Sequence, residues 1–278
     1  MAGSIGTSVP GTVVTTTSTT INSFDARGIQ TLFGPGAPPS MSHTDAKYKN
    51  GTTKQCRASW KNVANRTVAK RHIEPAKVEQ LRQKAVASGI NEKYVRRSIA
   101  SFLANQDRLP NQRYVTFIDF NQRSDAKRMV VMDLEDYSFK TYHVAAGSGS
   151  DKKGNGYATR FSNKEGTHAS SLGCYVANGE FNDGKGRPAL LFHGIESTND
   201  NACQRAVFMH TAGYVGGVPG RSWGCPAVRP QDRNQIYKKL GGGGLICSYY
   251  DGKQEVASAA SPGTQRKGRK GRRGSRRG

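Results

Sequence analysis

The sequence has no CxxC pair, no run of eighteen apolar residues and, against 42 lysines and arginines in 278 residues, only 20 acidic ones. Each shortage excludes something. Without paired cysteine ligands the spacing of a zinc ribbon is missing. Without a long apolar run no segment has the length to cross a bilayer as a helix. The first twenty residues, MAGSIGTSVPGTVVTTTSTT, have neither a basic start nor the apolar stretch of a secretion signal. That leaves a cytosolic protein, or a chain whose leader has been removed. No internal repeat of useful period is present, so repeat architectures are set aside.

The positive excess, a net +22, is unevenly placed. Residues 261–278, SPGTQRKGRKGRRGSRRG, carry eight Lys or Arg and no acid. Residues 43–113 hold sixteen basic and five acidic residues, whereas 1–42 balance to zero and 114–260 keep only +3. Basic flanks therefore border a nearly neutral middle. Such flanks attract polyanions: nucleic acid, an anionic membrane surface or an anionic wall polymer.

Composition and periodicity divide the chain into four parts. Residues 1–45 are rich in Thr, Ser, Gly and Pro and read as a flexible arm. Residues 46–112 form a basic helical region. Val78, Leu81 and Ala85 share one face of a helix starting near Pro75, SGIN supplies a stop and a new cap, and a second helix runs from Glu92 to about Asn105. Residues 113–251 change period. RYVTFIDF, KRMVVMDL, SFKTYHVAAG, GCYVAN, ALLFHGI, AVFMH and LICSYY are short runs rich in β-branched and aromatic residues, parted by polar turns. One helix interrupts them near Pro230 to Leu240 and is closed by four glycines. The expected fold class is mostly β, with a short helical N-terminal region. Residues 252–278 read as a disordered Arg/Lys-rich tail.

The chemistry concentrates in HTAGYVGGVPGRSWGCP, His210 to Pro226, where one histidine and one cysteine are joined by a segment containing five glycines. Four readings compete: a metal site, a disulfide scaffold, a packed core cysteine, and a nucleophile with its base. The five cysteines are an odd number, so an oxidising compartment leaves at least one thiol unpaired. Cys174, Cys203 and Cys247 lie in strand-like or helical contexts that suit a core position or pairing. Cys225 lies instead in a glycine-rich loop, with Arg221 four residues before it and Arg229 four after it. A free thiol titrates near about 8.5, so a base or a nearby cation is needed to make it nucleophilic at neutral pH. His210, delivered at the end of the AVFMH strand, is the candidate base. Thr211 or a carbonyl beside it is the candidate orienter. Backbone N–H groups of Trp223, Gly224 and Cys225 are candidate oxyanion donors, and Gly224 leaves room beside the thiol. His193 also ends a strand before a glycine and is the rival base; it reads as structural or pocket-lining. His143 reads as one face of a strand, and His43 and His72 lie outside the domain with nothing to recommend them.

The same residues resemble a known family. His210-Thr211-Ala212 followed by Gly220-Arg221-Ser222-Trp223-Gly224-Cys225-Pro226-Ala227-Val228 is similar to the signature of the L,D-transpeptidase (YkuD-type) catalytic family, in the murein branch carrying G-R-S-W-G-C-P. The likeness spans roughly Arg113 to Tyr250. It implies a β-sandwich fold and attack by Cys225 on the carbonyl of the L-centre of a diamino acid in a peptidoglycan stem tetrapeptide. The terminal D-alanine leaves, a thioester forms, and a neighbouring stem amine resolves it into a 3→3 cross-link. His210 is the implied base. Ser222, Gly224 and Arg221 match the motif, while Tyr157 and Ser171 fall in matching segments as pocket candidates. The resemblance implies no metal or organic cofactor, and a periplasmic or secreted location. Two alternatives stand beside this reading: an L,D-carboxypeptidase or endopeptidase with water as acceptor, and a polyanion-binding protein on an inactive transpeptidase scaffold, using its basic tail.

Overall fold

The structure, a computed structural model, describes residues 66–183, 185–217 and 220–254. The arm expected over 1–45, the first part of the basic region and nearly all of the tail lie outside the described residues.

Helix α1, Pro75–Ala87, opens on a proline at its first turn, where the missing N–H has no intrahelical partner to lose. It buries Val78, Leu81 and Ala85, the face its spacing predicts. Gly89, at φ +79°, lets the chain turn out of it. The Asn91 side chain then accepts from Lys93 N, capping helix α2, Glu92–Asn105. Helix α2 lays Tyr94 on the sheet, stacked on Tyr249 at 4.9 Å and edge-on to Phe117 at 6.2 Å.

Nine strands follow: β1 Tyr114–Asp119, β2 Met129–Asp133, β3 Ser138–Tyr142, β4 Val144–Ala145, β5 Gly173–Asn182, β6 Pro188–Gly194, β7 Phe208–Thr211, β8 Ala227–Val228 and β9 Gly244–Tyr249. Between β8 and β9 a single 3-10 turn, Pro230–Asp232, leads into helix α3, Arg233–Leu240. Hydrogen bonds join the strands in the order β3-β2-β1-β9-β5-β6-β7-β8-β4. The two strands at the ends of that order, β3 and β4, are separated in the chain by His143 alone. The sheet must therefore curl until its edges nearly meet. The curl encloses one apolar cluster drawn from both ends, with Ile118, Val131 and Tyr142 beside Val144, Met209 and Val228, and Ile236, Tyr237 and Leu240 of α3 closing it. Phe117 and Ile118 are both buried, on opposite faces, as the two-residue repeat of a strand requires. Each such fully buried side chain contributes about 1.5–3 kcal/mol.

Two pairs in this sheet are parallel, β1 with β9 and β7 with β8; every other pair is antiparallel. A parallel pair needs a long crossover to bring the chain back to the same end. For β7 and β8 that crossover is the glycine-rich segment ending at Cys225. Cys174 faces Cys247 across β5 and β9, and the two form a disulfide. Cys203 is disulfide-bonded as well.

Candidate active site

Cys225 is the free cysteine among the described residues. It stands two residues before the start of β8, and the parallel register pairs His210 with Ala227. The His210 backbone N–H donates to Pro226 O at 3.3 Å, so one backbone hydrogen bond separates the two segments.

His210 Nδ1 lies 3.1 Å from Thr211 O. A carbonyl can only accept, so Nδ1 carries the proton and Nε2 keeps its lone pair. The orienter is thus the backbone of Thr211 rather than its hydroxyl. Burial pulls the His210 pKa below 6.5, with the Thr211 carbonyl opposing, which leaves the imidazole neutral at pH 7. Cys225 is 8% exposed, and its Sγ–H donates to Ala206 O at 3.5 Å, not to the imidazole. Burial pushes the thiol up to about 11; the Phe208 backbone and then the Arg205 charge work against it. The resting pair is therefore neutral thiol and neutral imidazole. These charge states do not make a standing thiolate–imidazolium pair; a thiol and a neutral imidazole can exchange a proton only during a reaction.

The loop holding Cys225 is fixed from two sides. Ser222 Oγ donates to Cys225 O at 2.6 Å, closing the turn on itself. Ser148 donates to Ser222 O through both its N–H (2.9 Å) and its hydroxyl (3.0 Å). Ser170 accepts from Gly147 N and donates to Gly224 O, each at 3.0 Å. Gly224 adopts φ +116°, a region side chains rarely enter. A Cβ there would come within 2.7 Å of Ala169 O and 2.8 Å of Arg205 Nη2. The absent side chain thus admits protein rather than opening space beside the thiol, as the sequence suggested.

The remaining candidates are distributed around this loop. Trp223 is 74% exposed and stacks on His168, with ring centroids 5.0 Å apart and planes at 4°. Arg221 is exposed and lies 6.0 Å over the Tyr214 ring. Ser171 is buried; its hydroxyl donates to Ser162 O and accepts from Arg205. Tyr157 is 45% exposed on a turn held by Asn155, and no hydrogen bond ties it to the Cys225 loop. His193 is buried in β6 with Nδ1 3.6 Å from Cys203 Sγ, and burial lowers its pKa to about 4. Arg229 donates to Val215 O within the crossover. Among the described residues no three His, Cys, Asp or Glu side chains come together as metal ligands would.

Sequence reasoning missed Ser148, Ser170 and Arg205. Ser170 adjoins the chosen Ser171 in the SSLG segment, and only three-dimensional packing distinguishes them. Arg205 lies five residues before His210, where nothing in its local sequence announces a partner.

A family model described as an L,D-transpeptidase catalytic domain matches residues 86–249. No curated protein matches the sequence. Among solved structures the chain is similar to an L,D-transpeptidase from Mycobacterium smegmatis at 14% identity and TM-score 0.30, covering 49% of this chain and 58% of that one. It therefore spans a little over half the length of that protein. It is also similar to residues 123–326 of an L,D-transpeptidase from Xylanimonas cellulosilytica, at 13% identity and TM-score 0.30, covering 66% of this chain and 98% of that one. A third, from Stackebrandtia nassauensis, has 14% identity and TM-score 0.31, with 77% and 97% covered.

Proposed function

This chain belongs to the family of L,D-transpeptidase catalytic domains, matched over more than half its length, and from that premise we propose that it cross-links peptidoglycan stem peptides with Cys225 as nucleophile. What supports the reading is one juxtaposition. The free thiol enters β8 beside the strand whose His210 holds an unprotonated Nε2.

In the proposed reaction Sγ attacks the carbonyl of the L-centre of the diamino acid while its proton passes to His210 Nε2. Backbone N–H groups of the Trp223–Cys225 turn take the developing oxyanion, a contribution of a few kcal/mol. The C–N bond to the terminal D-alanine breaks, and His210 returns the proton to the leaving amine, giving a thioester. A stem amine then attacks the thioester carbonyl and loses its proton to His210. The sulfur departs as thiolate and takes that proton back, and the new amide is the 3→3 link. Ser222 holds the loop, Ser171 supports it through Arg205, and Thr211 orients His210 by its carbonyl. Arg221, Trp223 and Tyr157, all exposed, offer the surface that meets the stem peptide. The Cys174–Cys247 disulfide suits an oxidising compartment, periplasmic or secreted, where this substrate lies.

The test is incubation with purified tetrapeptide muropeptides and mass analysis of the products. Cross-linked dimers from the native chain and none from Cys225→Ala are expected. Trimmed monomers without dimers would assign water as acceptor. Dimers from Cys225→Ala at the native rate would remove the thiol from the mechanism.

A further inference from the structure

Arg205 ties Ser171 to the loop in the proposed reaction, a role that makes no use of its charge. It lies in the connection between β6 and β7 and is largely withdrawn from water, with burial lowering its pKa. Its guanidinium donates to Ser162 O (2.7 Å) and Ser171 Oγ (2.6 Å) through Nη1, and to Ala169 O (2.6 Å) through Nη2. All three acceptors are neutral. Among the described residues no carboxylate lies within ion-pair distance of it, and Glu165, the acid whose charge acts on it, is exposed at the surface. The side chain is half-buried, and a charge drawn even partly out of water without a countercharge costs free energy that a paired one recovers.

Two observations point to the missing anion. Nη2 is the nitrogen that packs against Gly224, 2.8 Å from where its Cβ would stand, so the charge adjoins the residue preceding Cys225. The charges also favour each other: after Tyr175, an ionised Cys225 raises the Arg205 pKa, and Arg205 lowers that of Cys225. The other titratable groups around the loop do not offer a countercharge. Tyr175 on β5, which acts on Arg205 more strongly than Cys225 does, is pushed up to about 12 by burial and so stays neutral; Tyr214, in the crossover, is held neutral by burial as well, and His210 on β7 is neutral at pH 7. His168 is stacked under Trp223, and Arg221 sits beyond Tyr214 at the surface.

We propose that Arg205 is the counter-ion of the Cys225 thiolate, a positioning residue whose three hydrogen bonds to the 162–171 segment hold a positive charge against Gly224. Resting on the acyl-transfer reading, this assigns the two proton-linked tasks to different residues. His210 moves the proton, and Arg205 makes the sulfur a better leaving group when the thioester is resolved. It also explains why Gly224 has no side chain, since a Cβ would displace the guanidinium from the thiol side.

The experiment is the pH dependence of Cys225 alkylation by iodoacetamide, followed by mass on the full-length chain, with the adduct located on Cys225. In Arg205→Gln the midpoint is expected to rise by about one unit or more, a tenfold or greater fall in rate below the midpoint. In Arg205→Lys, which keeps the charge and loses the fork, it should stay within about half a unit of the native value even if the thermal midpoint drops. An unmoved midpoint in a folded Arg205→Gln would overturn the proposal. So would a shift in Arg205→Lys of more than about half a unit, which also decides the matter if the Gln variant does not fold. Alkylation needs no stem peptide, so either failure leaves acyl transfer standing, and a failed muropeptide assay leaves the difference in midpoint between native chain and variants to be read as before.

Discussion

The two parallel strand pairs of the sheet are built from opposite materials. Where β1 meets β9 beneath α2, the contacts are rings on rings: Tyr94 on Tyr249, Phe117 edge-on to Tyr94, and Arg97 laid over Tyr249 at 4.4 Å. Around β7 and β8 a buried thiol lies with a half-buried imidazole and a half-buried guanidinium, and each contacts a backbone carbonyl. The crossovers differ in the same way. The chain between β1 and β9 is most of the domain, whereas β7 returns to β8 through the glycine-rich segment alone. Apolar burial stabilises without specifying chemistry. Polar burial costs stability and shifts pKa values, so it concentrates where proton transfer is needed.

The contrast can be broken at its apolar end first. Phe117→Ala should destabilise the fold by about 3–5 kcal/mol through the cavity it leaves, read by denaturant unfolding. It should leave the Cys225 alkylation midpoint of the folded protein untouched. A midpoint that moved with it would mean that the two ends are not independent.

A second effect, nearly as large, is acid sensitivity. His193 titrates at about 4 in the folded chain and near about 6.5 when unfolded, so the native state holds it neutral. Its stability contribution is complete above pH 6.5 and is lost as pH falls through about 4, amounting to roughly 3 kcal/mol. Unfolding measured at pH 7 and pH 4 should show that loss in the native chain and less of it in His193→Asn. An equal loss in both would assign the acid sensitivity elsewhere.

Smaller still is Gly224→Ala. A side chain at φ +116° costs about 1–3 kcal/mol, and displacement of the thiol loop should lower kcat/KM about a hundredfold. The alanine must push on Ala169 O and Arg205. Activity near native would mean the loop tolerates rearrangement. The smallest effect is expected at Thr211→Val, below about twofold in kcat/KM, because the carbonyl that holds Nδ1 is retained. A hundredfold loss would return the orienting role to the hydroxyl.

The two ends were also unequally legible in the sequence. Val78, Leu81 and Ala85 repeat at helical spacing, and Asn91 caps the next helix, so both helices could be read locally. His210 ends a β-rich run, and Cys225 stands in a glycine-rich loop, so both were visible as candidates. Their surroundings were not. Val115 pairs with Leu245 across some 130 residues, and Cys174 with Cys247 across 73, distances over which no periodic signal carries. Strand β4 is two residues long. Ser148, Ser170 and Arg205 come from irregular segments whose only shared property is that they converge on one turn. Of the two orienters open at Thr211, hydroxyl or nearby carbonyl, the structure has the carbonyl against His210, and the space at Gly224 is taken by Ala169 O and the Arg205 guanidinium.

The most direct measurement is the intact mass of the native chain and of Cys225→Ala after incubation with a carbapenem, a strained acyl donor that an active thiolate opens to a thioester. A single adduct on the native chain and none on the folded variant is expected if Cys225 is the acyl-transfer nucleophile. A native chain that stays unmodified while folded, or a Cys225→Ala variant that takes the adduct equally well, would contradict it.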